Sequence, residues 1–235
     1  MLICMINIIF ISIYKYYIKY LYYDNINMPH DTKKPCLILD LDQTIISGEA
    51  SEELDFNKYK EKSKLFRSDD MDGYYMIYSR PYLQEFLDYA FSNFNVSIWT
   101  AASKDYAIFI IDKLVINNKS DRKLDFVFFS YHCDLSKKIK KHSKELCMLW
   151  DIHKLPGFSE KNTVIIDDYK TDVHKCQPNN CIIATPFEFT KEGSEHDTFL
   201  KDVIPELEKM KIRIQNQDIN IANEVNKNLD SLHKN

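Results

Sequence analysis

The chain alternates between short apolar runs and longer stretches in which apolar residues recur every three or four positions. Cys36-Leu37-Ile38-Leu39 follows a proline and is short and uniformly apolar, so it predicts a buried strand. By the same pattern Asn95–Thr100, Phe126–Phe129, Thr163–Ile166 and Cys181–Ala184 predict four more. Between them Leu83, Phe86, Leu87, Ala90, Phe91 and Phe94 fall on one helical face, with Pro81 expected in the first turn, where no amide donor is needed. Ser103 is expected to cap a helix bearing Tyr106, Ile110, Ile111, Leu114 and Val115. Leu135–Trp150 is basic and predicted to be mostly helical until Pro156-Gly157 breaks it, and a further helix is predicted over Asp197–Met210. Strands alternating with helices predict an α/β fold, a doubly wound parallel sheet with helices on both faces.

Three segments depart from this rhythm. Ser47–Asp72 is polar and charged with no sustained apolar face, so it is expected to be a small insertion after the first strand, a solvated loop with one short helix at most. Tyr74–Tyr78 then has strand-forming residues that Ser79-Arg80-Pro81 ends. Lys211–Asn235 is polar with isolated apolar residues, an expected tail with some helix, which sets the main domain at residues 29–210. Residues 1–28 open with an apolar stretch shorter than the roughly 20 residues that span a bilayer. They are read as a membrane anchor, an added amphipathic segment, or an upstream extension that is not made, with Met28 as the start; the last is preferred.

Composition narrows the function. Hydrophobic residues at 45% and charged residues at 28% are ordinary for a globular protein, and 235 residues fill about one domain. A net charge of −4 gives no electrostatic basis for direct nucleic-acid binding. With four glycines and no Gly-rich phosphate loop, phosphate chemistry here would need a metal or charged side chains. The six cysteines include no CxxC pair, so a structural zinc is not expected and a reduced, intracellular protein is.

The chemistry gathers at predicted strand ends. Asp40 and Asp42 follow the first strand, separated by one residue and followed by Thr44. Ligand chemistry in open α/β sheets sits at the carboxyl ends of the strands. Two carboxylates there can divide phosphoryl transfer, Asp40 attacking phosphorus and Asp42 protonating the leaving oxygen and then activating water. Taken alone, such a pair is as often a turn or a cap. Thr100 and the pair Asp167/Asp168 end two further strands, and together these groups offer a nucleophile, an acid, a phosphoryl donor and an anionic cradle for a divalent cation.

The string Leu39-Asp40-Leu41-Asp42-Gln43-Thr44-Ile45 resembles the first motif of the haloacid dehalogenase superfamily, and its Gln resembles the branch that dephosphorylates the C-terminal domain of RNA polymerase II, the FCP/SCP phosphatases. The similarity extends over roughly Pro35–Met210, through Tyr78–Leu87, Ile98-Trp99-Thr100-Ala101-Ala102 and Val164-Ile165-Ile166-Asp167-Asp168. It implies a Mg2+-dependent phosphatase of phosphoserine or phosphothreonine in proteins. Thr100 would then bond the transferring phosphoryl group, Asp40, the backbone carbonyl of Asp42 and Asp168 would hold Mg2+, and Asp167 would support them. Thr44 and Arg80 would contact substrate. The family's Lys-Asp-Leu is best matched by Lys144-Glu145-Leu146, which makes Lys144 the phosphate-neutralising lysine among Lys137, Lys138, Lys140 and Lys141. The chain departs from the family after Asp168, where Tyr169-Lys170-Thr171-Asp172 replaces Ser-Pro, and Asp172 reads equally as an outer carboxylate or a cap.

Two rival readings follow from the same resemblance. One is a small-molecule phosphatase of the superfamily, which a large cap would favour and the short 47–72 insertion does not. The other is a catalytically idle binding protein resembling a mitochondrial import receptor, which has no need of Asp40, Asp42, Thr100 and Asp168 together. The expected protein is a monomer of the nucleus or cytoplasm with a phosphorylated protein as its partner. The alternative is a protein held at a membrane by residues 1–28.

Overall fold

The computed structural model describes residues 30–215 and 222–232. The expectations for residues 1–28 lie outside them. Among the described residues no helix is long and apolar enough to cross a membrane.

Five parallel strands form the central sheet: β1 (Cys36–Leu39), β5 (Asn95–Trp99), β6 (Val127–Phe128), β7 (Thr163–Asp167) and β8 (Cys181–Ile183), in the order β6-β5-β1-β7-β8. The chain runs outward from β1 in one direction and then in the other, so the crevice at the reversal lies beside β1. Alternation sorts the side chains. Leu37, Leu39, Val96, Ile98, Val164 and Ile166 share one face and pack in a single core with Leu83, Phe86, Leu87 and Ala90 of α2 (Leu83–Asn93), Tyr106 and Ile110 of α3 (Lys104–Ile110), and Leu200, Val203 and Leu207 of α5 (Phe199–Gln215). On the opposite face Trp99 and Phe128 meet edge to face, and Phe128 stacks on His132 of α4 (Ser130–Lys140). The chain thus has the expected α/β fold with helices on both faces.

Four local expectations are corrected. The 47–72 segment is not a solvated loop: β2 (Ile46–Ala50), β3 (Ser68–Met71) and β4 (Tyr75–Ser79) form an antiparallel sheet, order β2-β4-β3, with α1 (Phe56–Ser63) between β2 and β3. Its apolar support comes from far along the chain, where Phe189 stacks on Tyr78 at 3.7 Å and Phe187 packs with both against Leu54, Tyr59 and Phe66. Pro81 stands outside α2, because Tyr82 takes a left-handed conformation (φ 64°) and the helix begins at Leu83. The basic helix lies earlier than predicted: α4 ends at Lys140, Lys141 turns left-handed (φ 81°), and residues 141–147 form a loop before a short helical turn at Met148–Ile152. Finally, α5 continues past Met210, and α6 (Ala222–Leu232) adds Ala222, Val225 and Leu229 to the main core. The Asn226 side chain donates to the Cys181 carbonyl and accepts from the Ile183 amide, satisfying one edge of the sheet.

Candidate active site

Strand register assembles the acidic half of the site. Leu39 lies opposite Ile166 on β7 and Ile98 on β5, so the next residues, Asp40 and Asp167, emerge side by side at the carboxyl edge, and Thr100 follows one residue beyond, just after the last residue of β5. The Asp40 amide donates to the Ile166 carbonyl at 3.1 Å and the Thr100 amide to the Phe128 carbonyl at 2.9 Å, continuing the ladder through the functional residues. Asp40, Asp167 and Asp168 bring one carboxylate oxygen each to within 4.8 Å of one another. Thr44, buried in the tight turn after Asp42, places its hydroxyl 3.4 Å from Asp168 Oδ1. Thr100 Oγ1 accepts from the Ala102 amide at 3.1 Å, which leaves its own proton to donate.

The cationic half arrives on the 141–147 loop. Lys144 is only 4% exposed, and its Nζ lies 2.7 Å from both Asp40 Oδ1 and Asp167 Oδ2. Of the lysines considered from sequence, this is the one brought to the carboxylates. Its backbone is left-handed (φ 62°), a conformation that costs a non-glycine residue about 1–2 kcal/mol unless the surroundings enforce it. Gln177 helps to hold it, accepting from the Leu146 amide and donating to the Lys144 carbonyl.

Burial dominates the electrostatics. Desolvation pushes the Asp40 carboxyl well above the usual carboxylate range, with Lys144 opposing and Asp167 reinforcing the shift. Burial also raises Asp168, and Asp167 adds to it. For Lys144 burial disfavours the charge, but Asp167 and Asp40 more than offset it, so the ammonium is held more firmly than in water. One buried cation among three carboxylates leaves an excess of hard anionic oxygens. That donor set fits Mg2+, which takes oxygen ligands and needs only one or two carboxylates. Asp167, expected only as support, stands within the cluster itself.

Asp42 faces a partner that the sequence did not reveal. Tyr106 Oη donates to Asp42 Oδ1 at 2.6 Å, and burial raises the Asp42 pKa while this bond opposes it. The phenol reaches Asp42 across Gly48, where a Cβ would stand 1.8 Å from the Tyr106 oxygen. From sequence Tyr106 is one residue of a helix face, and the signal for more is that a buried phenol needs a hydrogen-bond partner. Arg80, expected to meet substrate, is instead fully buried. Its guanidinium forms a two-bond pair with Asp197 at 2.8 Å, donates to the Thr44 carbonyl at 2.8 Å, and lies 4.5 Å from the Phe199 ring centroid. It braces the turn that carries Thr44.

A family model for NLI interacting factor-like phosphatases matches residues 35–220. The chain belongs to this family. It is 46% identical over 175 residues to the CTD phosphatase-like protein 355R of Invertebrate iridescent virus 6, covering 72% of this chain and 96% of that protein. It is 40% identical to the protein of the same name from Invertebrate iridescent virus 3, over 77% of this chain and 99% of the relative. The CTD small phosphatase-like protein 1 of Caenorhabditis elegans is 27% identical over 78% of this chain, but only 33% of that protein is covered. The solved structure of Fcp1, an essential RNA polymerase II CTD phosphatase, aligns at 21% identity with a TM-score of 0.47, covering 87% of this chain and 55% of that one. The chain therefore spans about half of the solved structure it matches.

Proposed function

We propose that this family member is a Mg2+-dependent phosphatase of phosphoserine or phosphothreonine in proteins, acting through an aspartyl-phosphate on Asp40. The observation that carries the reading is the pairing of Asp40 with Lys144 beside Asp167 and Asp168, with Asp42 close after the nucleophile in the chain and separately bonded to Tyr106. The Asp40 carboxylate attacks phosphorus as the ester bond to the leaving oxygen breaks, and Asp42, protonated, gives its proton to that oxygen. Asp42 then takes a proton from water, which attacks the acyl phosphate and frees Asp40. Lys144 neutralises charge on Asp40 and on the phosphoryl group, and the Thr100 hydroxyl donates to a phosphoryl oxygen. Mg2+, when bound by Asp40, Asp168 and the Asp42 carbonyl, supplies the positive charge that lets an ionised nucleophile face a dianionic ester.

Burial raises the Asp42 pKa and so favours the protonated form that a general acid must present. The insertion is a small three-stranded sheet and one short helix, and this supports an extended peptide over the small-molecule substrates of capped relatives. None of the five described cysteines is in a disulfide, in keeping with a nuclear or cytoplasmic protein. A panel of phosphopeptides with Mg2+, including repeats of the polymerase tail and free phosphorylated metabolites, tests the reading. Preferential hydrolysis of phosphoserine or phosphothreonine peptides is the expected outcome, and turnover of metabolites alone would assign the small-molecule class instead.

A further inference from the structure

Asp172 stands where the chain departs from its family's usual sequence, four residues beyond Asp168, and its side chain turns toward the loop of Lys144. One carboxylate oxygen, Oδ2, accepts from both the Ser143 amide, at 3.0 Å, and the Ser143 hydroxyl. The other, Oδ1, lies 2.6 Å from His142 Nδ1. Three bonds thus fall on the two residues that precede Lys144, whose own backbone is left-handed. On the other side of the lysine, Gln177 binds the Lys144 carbonyl and the Leu146 amide. Ser136 closes the base of the loop, donating to the His142 carbonyl and accepting from the Glu145 amide. The loop contains no glycine to favour its two left-handed residues, so side-chain tethers must hold a conformation the backbone disfavours.

We infer that Asp172 is a positioning residue, clamping residues 142–143 so that the Lys144 ammonium is held between Asp40 and Asp167. The inference rests on the proposed role of Asp40 for its catalytic consequence, though not for the placement of the lysine. Burial works against the charge on Asp172, but the donors from Ser143 and His142 outweigh it and hold the carboxyl below its usual range, so the clamp is anionic at neutral pH. Asp172 does not reach the acidic cluster itself, so it acts through Lys144.

The test is Asp172→Ala beside Asp172→Asn, read by two independent signals. The first is the amine resonance of Lys144 in a 15N-lysine NMR spectrum, which a sequestered ammonium keeps sharp and slowly exchanging and which needs no turnover. The second is kcat and KM on p-nitrophenyl phosphate with Mg2+. We expect Asp172→Ala to broaden or lose the Lys144 signal while the remaining spectrum stays native, and to lower kcat about tenfold with KM changed less than about threefold, short of the roughly 10²–10³-fold cost of losing an electrostatic donor outright because the lysine itself remains. Asp172→Asn, which keeps an acceptor for Ser143, should recover most of both. An unchanged Lys144 signal in Asp172→Ala would overturn the inference. Should Asp172→Ala fail to fold, Ser143→Ala carries the same test, with a weakened lysine signal expected and an unaltered one refuting the clamp. If the wild type proves inactive on every phosphomonoester, the proposed function fails and the lysine signal still decides the clamp.

Discussion

The two halves of the candidate site are built on different principles. The carboxylates of Asp40, Asp167 and Asp168 stand on or just beyond adjacent parallel strands, and backbone hydrogen bonds run through Asp40 to the Ile166 carbonyl. The ammonium of Lys144 comes from a loop with left-handed residues at Lys141 and Lys144, fixed by side chains from Ser136, Asp172 and Gln177. Acids on strand ends are placed by the same ladder that makes the fold. A cation on a tethered loop is placed by a handful of polar contacts, each of which a substitution can remove. Chemical changes at the strand ends should therefore alter reactivity and spare stability, whereas loss of the loop's cation should alter both.

Asp42→Asn probes the strand-end half with the largest expected effect after loss of the nucleophile itself. Turnover should fall by about 10²–10⁴-fold for the missing acid and base, with the melting temperature maintained or raised because burial already disfavours the charged form. A cooperative collapse of stability would contradict this difference between the two halves.

Lys144→Ala probes the loop half. Removing the single cation should cost about 10²–10³-fold in kcat. In metal-free protein it also leaves Asp40 beside Asp167 without their shared counter-charge, which should destabilise by about 3–5 kcal/mol. Added Mg2+ should recover part of that stability and little of the rate. Chemical denaturation with and without Mg2+ separates the two.

Asp168→Ala should weaken Mg2+ binding, measured calorimetrically, by on the order of 10–100-fold, the scale of losses around metal sites. The fold should persist, because Asp168 lies just beyond the last residue of β7.

The last effect is one of pH, spread over several groups, and it runs in opposite directions on the two sides. His132 and His153 lie on the stretch that frames the lysine loop; burial lowers them from 6.5 to about 3 and about 4, and His132 Nδ1 accepts from the Phe129 amide. In the unfolded chain they protonate below about 6.5. Their contribution to stability is thus complete above that value and lost as pH falls toward 4 and 3. The buried Asp40, Asp42 and Asp168 have raised values, so their contribution is greatest in acid and is lost as pH rises through those values. Metal-free protein should lose roughly 2 kcal/mol between pH 6.5 and 5 from each histidine, at 1.36 kcal/mol per unit, partly masked by the carboxyls. Replacing His153 with Gln should flatten that slope, as urea denaturation across the range can show.

The sequence displayed the strand-end half because short apolar runs carry their own functional residues at their ends, as in Leu39-Asp40 and Ile166-Asp167. The rest depended on partners remote in sequence. Ile46-Ser47-Gly48-Glu49-Ala50 and Ser68-Asp69-Asp70-Met71 are too polar to look like strands, and they become an antiparallel sheet with an aromatic backing from Phe187 and Phe189. Arg80 looked like a substrate contact until its partner, Asp197, was in view. The break after Lys140 has no glycine or proline to announce it. Lys144 stood in a run of lysines, and family resemblance singled it out before the fold placed it.

The central claim is that Asp40 carries the phosphoryl group in transit. Acid quench of the protein during turnover of a phosphoserine peptide with Mg2+, followed by peptide mass spectrometry, tests it most directly. The account predicts an adduct of about 80 Da on Asp40, the mass of HPO3, as expected of a carboxylate nucleophile that forms a covalent phosphoryl intermediate. It should accumulate further in Asp42→Asn and be absent from Asp40→Asn, which should also lack turnover. An Asp40→Asn protein that hydrolyses the peptide at near wild-type rate, or an adduct on another residue, would contradict it.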